Sequence, residues 1–244
     1  MSAAPRILFE DNHLLAVEKA PGVLAQADAS GAPDMLSILK RFIKERDAKP
    51  GNVFLGLVHR LDRNVGGAMI FAKTSKAAAR LSEQIRERTI VKIYLALVAG
   101  RPEPASARLE HDLAKDARLN TSRVVSRDRA EDRTAPGVDS RGAHHAVLDY
   151  ETLASRDELS LLRVRIITGR SHQIRVQLAA IGHPIAGDRK YALTPTARAA
   201  GDLALWSAEI RFRHPTRDEE IVVRAAPPSR GVWAAFPEAI ATLR

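Results

Sequence analysis

The chain has 244 residues, enough for one sizeable domain or two small ones, and its 45% hydrophobic content supports a packed core. The lack of cysteine excludes disulfides and thiolate metal sites. A formal net charge of +9 is consistent with a polyanionic partner, although an arginine-rich composition alone does not establish one. No signal-peptide pattern opens the chain and no apolar run approaches the ~18 residues of a membrane-spanning helix, so we expect a soluble cytoplasmic protein.

The first third of the chain predicts strands and one amphipathic helix. Residues 7–9 and 14–17 form apolar runs around a polar turn, which is typical of a hairpin. Asp34 is the predicted N-cap of a helix whose apolar residues recur at helical spacing. Residues 53–58 and 68–72 are apolar runs of strand length, and we predict two buried strands there.

The middle of the chain predicts a second helix, another strand and a long loop. Thr74 or Ser75 starts the helix, and residues 92–98 return to strand. Residues 115–145 are rich in charged side chains, contain Pro136-Gly137 and have few apolar groups, so they predict a mobile loop.

The last third predicts hairpins and two more helices. Residues 146–153 and 159–168 form an expected antiparallel pair, followed by a helix that Ser171 caps and Gly182 ends. Residues 208–212 pair with 221–223, and a terminal helix follows. Because strands come in hairpins rather than in strand-helix-strand units, the pattern predicts an α+β fold with a mixed or antiparallel sheet.

One short segment indicates chemistry. Residues 59–63 read H-R-L-D-R, and residues 66–73 that follow contain a glycine pair and an apolar strand. Asp62 lies between Arg60 and Arg63, whose charges favour the ionised carboxylate that a nucleophile requires. The same arginines would attract a polyanion.

Two blocks resemble a known family. The H-R-L-D-R segment is similar to the catalytic motif of the RluA-type RNA pseudouridine synthases. Residues 168–178 (T-G-R-S-H-Q-I-R-V-Q-L) and 182–188 (G-H-P-I-A-G-D) resemble its second motif in the right order. Partial matches at residues 7–22 and 92–96 extend the resemblance from about residue 6 to about residue 225.

The resemblance implies a fold and an activity. The fold is the α+β pseudouridine synthase fold, with a mixed, mostly antiparallel central sheet, flanking helices and a central RNA-binding cleft. We expect residues 1–244 to form a single catalytic domain, without the N-terminal S4 domain that many members carry. The implied reaction isomerises a specific uridine to pseudouridine in ribosomal or transfer RNA. It needs no cofactor and no metal, and we expect a monomer.

The resemblance also implies three catalytic residues. Asp62 matches the catalytic aspartate, Arg175 the arginine that pairs with it, and Tyr94 the tyrosine that stacks on the target base. Leu178 is implied to line the uracil pocket. Without the motifs, Arg175 would be read as a surface residue, and Tyr94 and Leu178 as core residues.

Further polar residues are candidates for binding the substrate. The target uridine must leave the base stack of the RNA, and Arg60 or Arg63 could fill the gap that it leaves there. The resemblance favours Arg60. His172 and Gln173 could instead have an architectural role, as could His59. Contacts with phosphate are predicted for the remaining three basic residues, Lys19, Arg170 and Lys73.

The chain departs from the family pattern at several positions. Val65-Gly66 replaces the usual Thr-Ser, and Gln177 replaces a histidine. Lys19 is followed by Ala20-Pro21, whereas the proline directly follows the lysine in the family's usual K-P-x-G. These changes bear on substrate choice and rate, since they leave the three catalytic candidates unchanged.

Other functional classes remain as alternatives or are excluded. A synthase-like RNA-binding or chaperone module with weak or lost catalysis is the main alternative. Phosphate-binding, dinucleotide-binding and H-E-x-x-H zinc motifs are absent from the sequence. A glycosidase would need a second acid, and neither motif block provides a carboxylate paired with Asp62.

Overall fold

A computed structural model describes residues 4–116, 118–125, 142–192 and 201–241. Contacts between residues divide the chain into two compact units. The first contains residues 4–92 and 206–227, and the second contains residues 93–205 and 228–241 within the described parts. The expectation of a single domain remains a prediction.

The first unit is built on a mixed sheet. Its strands are β1 (Ile7–Glu10), β2 (Leu14–Lys19), β3 (Gly56–Leu57), β4 (Gly66–Ala72), β10 (Leu205–Arg213, from Trp206 onward) and β11 (Glu220–Arg224). β2 is antiparallel to both β1 and β4, and β10 is antiparallel to β11. β10 runs parallel to β4, with Trp206 opposite Gly66 and Ser207 opposite Gly67. Every residue of β4 is buried, as its continuous apolar run predicts.

Two capped helices accompany this sheet. α1 (Met35–Arg46) starts where the Asp34 carboxylate accepts a 3.0 Å hydrogen bond from the Ser37 N–H, which confirms the predicted N-cap. α2 (Ser75–Arg86) is capped in the same way by Thr74. Leu81 and Ala77 of α2 join the apolar core formed by the sheet.

The second unit is built on antiparallel hairpins. Its strands are β5 (Val91–Ala99, from Ile93 onward), β6 (Ser106–Asp116), β7 (Thr121–Val125), β8 (His144–Arg156) and β9 (Leu159–Ile166), in the spatial order β5-β9-β8-β6-β7. β6 is antiparallel to both β7 and β8, and β8 to β9. Together with the first unit, this confirms the α+β class and the mixed, mostly antiparallel sheet.

The helices of the second unit follow the strands. α3 (Gln173–Ala180) has Ile181 as its C-cap, and Gly182 follows with a φ of 86°, in the left-handed region that glycine adopts without strain. A 3₁₀ helix (Gly231–Ala235) and α4 (Pro237–Ala241) bury Trp233, Phe236 and Ile240. Residues 242–244 lie outside the described residues.

Three predictions from the sequence were wrong in part. Within 115–145, which we predicted to be a loop, β7 occupies residues 121–125, and the ends of β6 and β8 fall inside the same range. Backbone pairing with β6 holds β7, although the first three residues of β7 are polar. Residues 117 and 126–141 lie outside the described residues. Of the strand predicted at 53–58, only Gly56–Leu57 pairs with β4.

The third error concerns the start of α3. Its N-cap is His172, with φ 54°, rather than Ser171. The Gln173 side chain reaches back, and its Oε1 accepts hydrogen bonds from the Arg170 N–H at 3.0 Å and the Thr168 hydroxyl at 2.8 Å. The Gln173 side chain therefore holds the segment before the helix, and no side chain accepts a capping hydrogen bond at His172. Among the described residues, no helix has the length and apolar character needed to cross a membrane.

Candidate active site

Asp62 lies in the loop between β3 and β4, in the first unit. It is half-buried, and its backbone carbonyl accepts a 3.0 Å hydrogen bond from the Val65 N–H, which forms a tight turn just before β4. Leu61 and Val65 on either side of the turn are buried. The fully buried strand that follows therefore anchors the carboxylate on one side.

Lys19 supports this loop from the interior. Its side chain is fully buried, and its ammonium donates hydrogen bonds to three backbone carbonyls, those of Ala20 at 3.0 Å, Val23 at 2.7 Å and Arg63 at 2.9 Å. The three N–H donors of Lys19 are thus all used inside the protein, whereas the sequence predicted a contact with phosphate. Burial lowers the pKa of Lys19 to about 8, and the charge of Asp62 opposes this shift.

His59 fixes the other end of the loop. Its Nε2 accepts a 3.0 Å hydrogen bond from the Ile70 N–H in β4, so this nitrogen carries no proton. Desolvation, with a smaller contribution from the positive charge of Lys92, lowers the pKa of His59 to about 3. The imidazole is therefore neutral at pH 7 and has the architectural role that we weighed for it.

Arg60 and Arg63 are both exposed, next to the half-buried Asp62. The Nε of Arg63 donates to the Gly22 carbonyl at 3.0 Å, and the Arg63 carbonyl accepts from the Gly22 N–H at 2.8 Å. Arg63 is thus tied to the segment after β2 by its side chain and its backbone. The structure presents two guanidinium groups at the surface near the carboxylate, as the motif predicts.

Trp206 accounts for one departure from the family motif. A Cβ atom added to Gly66 would lie only 2.7 Å from Cε3 of the Trp206 ring, so a serine does not fit there without movement. The indole is buried and its N–H donates to the Ala225 carbonyl at 2.9 Å. The ring of β10 therefore takes the space where the usual hydroxyl side chain would lie.

Lys73 lies away from the Asp62 loop and binds residues at the turn between β1 and β2. Its ammonium donates to the Glu10 carboxylate at 2.7 Å and to the Asp11 carbonyl at 2.6 Å, at the turn between β1 and β2. In the β2–β4 register, Leu14 faces Ala72 and Lys19 faces Gly67, so Lys73 and the Asp62 loop lie at opposite ends of β4. The structure thus gives Lys73 a structural ion pair in place of the predicted phosphate contact.

Arg175 lies in α3, in the second unit, and its side chain is buried. Its Nε donates to Oδ2 of Asp188 at 2.7 Å and its Nη2 to Oδ1 at 2.8 Å, a two-pronged ion pair with side-chain exposures of 7% and 0%. Its guanidinium also lies 5.1 Å from the centre of the Tyr191 ring. The pairing of Arg175 with Asp62 remains a prediction.

Asp188 was in the second motif block, but sequence reasoning assigned it no role. The sequence contains only a general signal, since a buried guanidinium needs an acidic partner, and the 13-residue spacing does not itself predict this one. Asp188 also accepts hydrogen bonds from the N–H groups of Lys190 at 2.9 Å and Tyr191 at 3.2 Å. One buried carboxylate thus organises both the arginine and the turn that follows.

Tyr94 and Leu178 are buried members of the second unit. Tyr94 lies in β5 with 6% of its surface exposed, and Leu178 lies in α3 with 0% exposed. Both residues are therefore buried, as expected of core residues. Their predicted contacts with the target base remain predictions.

The other three candidates surround the start of α3. Arg170 is exposed, and its Nε donates to the His145 carbonyl at 3.2 Å. Gln173 is buried, and its amide nitrogen donates to the Val147 carbonyl at 3.0 Å. His172 Nδ1 lies 2.8 Å from the Tyr191 hydroxyl. The structure thus gives Gln173 the architectural role that we weighed, and leaves Arg170 at the surface.

Gln177, which replaces a histidine of the family pattern, is fully buried. Its amide nitrogen lies 3.2 Å from each of the Leu109 and Ala146 carbonyls and 3.1 Å from Nδ1 of His111. It therefore joins α3 to β6 and β8. Among the described residues, no group of three or more His, Cys, Asp or Glu side chains is placed to hold a metal ion.

A comparison with family models decides the classification. The RNA pseudouridylate synthase model matches residues 13–180, more than half of the chain. The chain belongs to the RNA pseudouridylate synthase family. This match includes the Asp62 loop, β5 and α3, and so every candidate site residue.

Curated relatives agree with this assignment. The chain is 32% identical over 225 residues to the uncharacterized RNA pseudouridine synthase YhcT of Bacillus subtilis, covering 91% of this chain and 68% of the relative. It is 33% identical to the dual-specificity RNA pseudouridine synthase RluA of Vibrio vulnificus, covering 86% and 78%. For ribosomal large subunit pseudouridine synthase C of Escherichia coli the identity is 32%, covering 90% and 65%. Several curated relatives are thus longer than the matched part.

Solved structures share the fold. The human RNA pseudouridylate synthase domain containing 4 superposes with a TM-score of 0.76 over 98% of this chain and 93% of that protein, at 24% identity. The human domain containing 1 gives a TM-score of 0.70 over 92% and 84%, at 23% identity. At these identities the comparison shows the pseudouridine synthase fold, which confirms the predicted fold family.

Proposed function

We propose that this protein is an RNA pseudouridine synthase that isomerises a specific uridine in structured RNA, with Asp62 as the nucleophile. The observation that carries the proposal is the construction of the Asp62 loop. A half-buried carboxylate stands between two exposed arginines, on a backbone held by a buried ammonium. Such fixed placement is what a positioned nucleophile requires.

The proposed reaction is an isomerisation without external reagents. Asp62 takes the ribose carbon from N1 of the uracil, the detached base rotates, and the ribose carbon then bonds to C5 while Asp62 is released. The C5 hydrogen leaves as a proton and N1 takes one up, so atoms and electrons balance. No metal or cofactor enters this scheme.

The remaining site residues have proposed supporting roles. We infer that Arg175 pairs with Asp62 and that Tyr94 stacks on the base and assists the proton transfer from C5. Leu178 would line the uracil pocket. Arg60 would enter the RNA where the uridine leaves its stack, while Arg63 and Arg170 would contact phosphates.

Ribosomal and transfer RNA are the proposed substrates. Ribosomal RNA is suggested by relatives such as the ribosomal large subunit pseudouridine synthase C of Escherichia coli. A dual-specificity relative, RluA of Vibrio vulnificus, suggests testing more than one RNA. We place the activity in the cytoplasm and expect the enzyme to act as a monomer.

Tritium release tests the proposal. RNA labelled at C5 of uridine, as separate ribosomal and transfer RNA pools that lack modification, is incubated with the wild type, Asp62→Ala and Asp62→Asn. Asp62→Asn keeps the size of the side chain and removes only its charge. We expect release from at least one pool by the wild type and none by either variant.

Two other outcomes would change the assignment. Release by Asp62→Asn at the wild-type rate would show that Asp62 is not the nucleophile. If the wild type binds RNA but releases no tritium from either pool, the protein is a synthase-like RNA-binding module instead.

Tyr94→Phe tests the role of the tyrosine hydroxyl. We expect the variant to bind RNA as the wild type does, because the ring remains, while the single-turnover rate falls by about 10²-fold, the usual scale of a lost proton-transfer group. An unchanged rate would assign Tyr94 to packing.

A further inference from the structure

Tyr191 joins three parts of the second unit. Its hydroxyl accepts a 2.7 Å hydrogen bond from the Ser122 N–H in β7 and lies 2.8 Å from Nδ1 of His172. Its ring lies under the guanidinium of Arg175, 5.1 Å from the centre of the ring to Cζ. The mechanism above gives this residue no role.

The ring and Asp188 hold Arg175 from two directions. Asp188 binds Nε and Nη2 of the guanidinium, and the same carboxylate accepts the N–H of Tyr191 at 3.2 Å. An arginine side chain has many rotamers, so two fixed contacts select one of them. If the Tyr191 ring were removed, one of these two contacts would be lost and the contact with Asp188 would remain.

The Tyr191 hydroxyl acts on a different element, the β6–β7 hairpin. Ser122 is buried, and its hydroxyl donates to the Ser171 carbonyl at 2.8 Å, so β7 is attached to the residue before the His172 cap of α3 by this bond and to Tyr191 by the bond from its N–H. The Lys190 ammonium donates to the Asn120 carbonyl at 2.6 Å and attaches the turn as well. The hairpin and the residues around Arg175 therefore share one anchor.

The tip of this hairpin is suited to RNA. Leu119 is 61% exposed, the largest value among the large hydrophobic side chains of the described residues, and its neighbour Arg118 is also exposed. Lys190 lies against the same turn and is exposed too. An apolar side chain beside cations can contact both bases and phosphates of a folded RNA.

We propose that Tyr191 is a positioning residue with two functions: its ring orients Arg175 for the reaction, and its hydroxyl holds the β6–β7 hairpin as an RNA contact. The inference rests on the proposed function and extends its RNA-binding surface to residues 118–120. It predicts that the two functions separate when the hydroxyl and the ring are removed in turn.

The test uses Tyr191→Phe, Tyr191→Leu and the control Tyr150→Phe. Tyr150 is another buried tyrosine of the second unit, and its hydroxyl donates to the Pro104 carbonyl at 2.9 Å. RNA affinity is measured by filter binding, and the rate constant and amplitude of product formation by single turnover at saturating RNA. The amplitude gives the active fraction and the rate constant gives the chemistry.

We expect Tyr191→Phe to weaken RNA binding about fivefold, because the Ser122 N–H loses its acceptor and the hairpin loosens, with a nearly unchanged rate constant. Tyr191→Leu should in addition lower the rate constant about tenfold, on the scale of a cation–π contact in a desolvated place. Tyr150→Phe should leave both quantities unchanged.

Three results would overturn the inference. The first is an unchanged rate constant in Tyr191→Leu, and the second is an unchanged RNA affinity in Tyr191→Phe. The third is a loss of amplitude in both variants with the rate constant and the RNA affinity unchanged, since this pattern indicates that Tyr191 only stabilises the fold. A wild type that forms no pseudouridine contradicts the proposed function instead. In that case the NMR resonance of the Arg175 Nε–H still tests the contact, since it must move when the Tyr191 ring is removed.

Discussion

At the scale of single residues, the pair of Gly66 and Trp206 explains how this chain tolerates an altered catalytic motif. The usual motif has a hydroxyl side chain where this chain has Gly66, and the indole ring occupies that space. A large ring against a glycine restrains the start of β4 by packing, where other members would use hydrogen bonds. The two positions are therefore expected to be coupled.

We predict that Gly66→Ser lowers the free energy of unfolding by about 2 kcal/mol through overpacking against the ring. Trp206→Ala should cost about 4 kcal/mol by leaving a cavity. The double variant should lose at least 1 kcal/mol less than the sum, since the serine then has room. Urea unfolding measures all three, with Gly51→Ser as a control because a Cβ at Gly51 meets no atom within 4 Å. Additive losses would contradict the coupling.

Lys19 gives a second prediction, for the pH dependence of the activity. Its pKa is about 8 in the folded protein against 10.5 ordinarily, because its side chain is buried. As the pH rises, the folded protein therefore loses this proton before the unfolded chain does. The contribution of Lys19 to the free energy of unfolding is thus fully present above pH 10.5 and is lost as the pH falls to 8. The activity should change in the opposite sense, because the neutral amine has two N–H donors for three carbonyls.

We therefore expect the single-turnover rate to decline above about pH 8. Lys19→Met keeps the length of the side chain and removes all donors, so it should react about tenfold more slowly at pH 7 and lose this alkaline decline. Rates measured from pH 6 to 10 for both proteins test the assignment. If the rates of the two proteins have the same pH dependence once each is divided by its own maximum, a group other than Lys19 causes the decline.

At the scale of elements, Glu10 connects β1 to α1 and β4. Its carboxylate accepts two hydrogen bonds from Arg46 of α1, at 2.6 and 2.8 Å, and one from Lys73. The hydrogen bonds from Arg46, followed by those from Lys73, outweigh desolvation and lower the pKa of Glu10 to about 2. The stabilisation is therefore present above pH 4.5 and is lost as the pH falls through 2.

Glu10→Gln should thus be less stable than the wild type by about 1–2 kcal/mol at pH 7, a difference that closes toward pH 2. Denaturant unfolding at a series of pH values measures this, with Glu45→Gln, an exposed position of α1, as the control. A difference that stays constant with pH would mean that the substitution acts through packing.

The elements also show how far sequence patterns extend. The Asp34 cap, a helix starting at Thr74 or Ser75, and the buried run of β4 were predicted correctly, because each is set by residues close in sequence. β7 was missed because its stability comes from pairing with β6 and from the contact of Ser122 with Tyr191, 69 residues away. The role of Lys19 was also missed, since a lysine in a motif gives no sign of whether its ammonium meets phosphate or backbone.

At the scale of the whole molecule, the proposed site residues are divided between the two compact units. Asp62, Arg60 and Arg63 belong to the first, and Tyr94, Arg175 and Leu178 to the second. The sequence pattern gave no sign of this division, because each unit is assembled from segments far apart in the chain. The motif blocks identified the residues of both units but not the contacts that hold them, such as the pair of Arg175 and Asp188.

The net charge of +9 leads to a prediction for the whole molecule, since it concerns how the enzyme meets RNA. Each phosphate neutralised by a cation releases counterions, so the logarithm of the RNA affinity should fall linearly with the logarithm of the salt concentration. With about five such contacts, the affinity should drop roughly 10²-fold between 50 and 200 mM salt. Filter binding across this range gives the slope for the wild type.

Single substitutions then assign the charges that matter. Arg63→Ala should reduce the slope by about 0.7–0.9, the value of one phosphate contact, whereas Asp62→Asn should leave the slope intact while abolishing the reaction. Arg86→Ala, at an exposed position of α2, is the control and should keep the wild-type slope. If Arg63→Ala also keeps that slope while the reaction slows, Arg63 acts on the Asp62 loop through its bond to the Gly22 carbonyl rather than on the RNA.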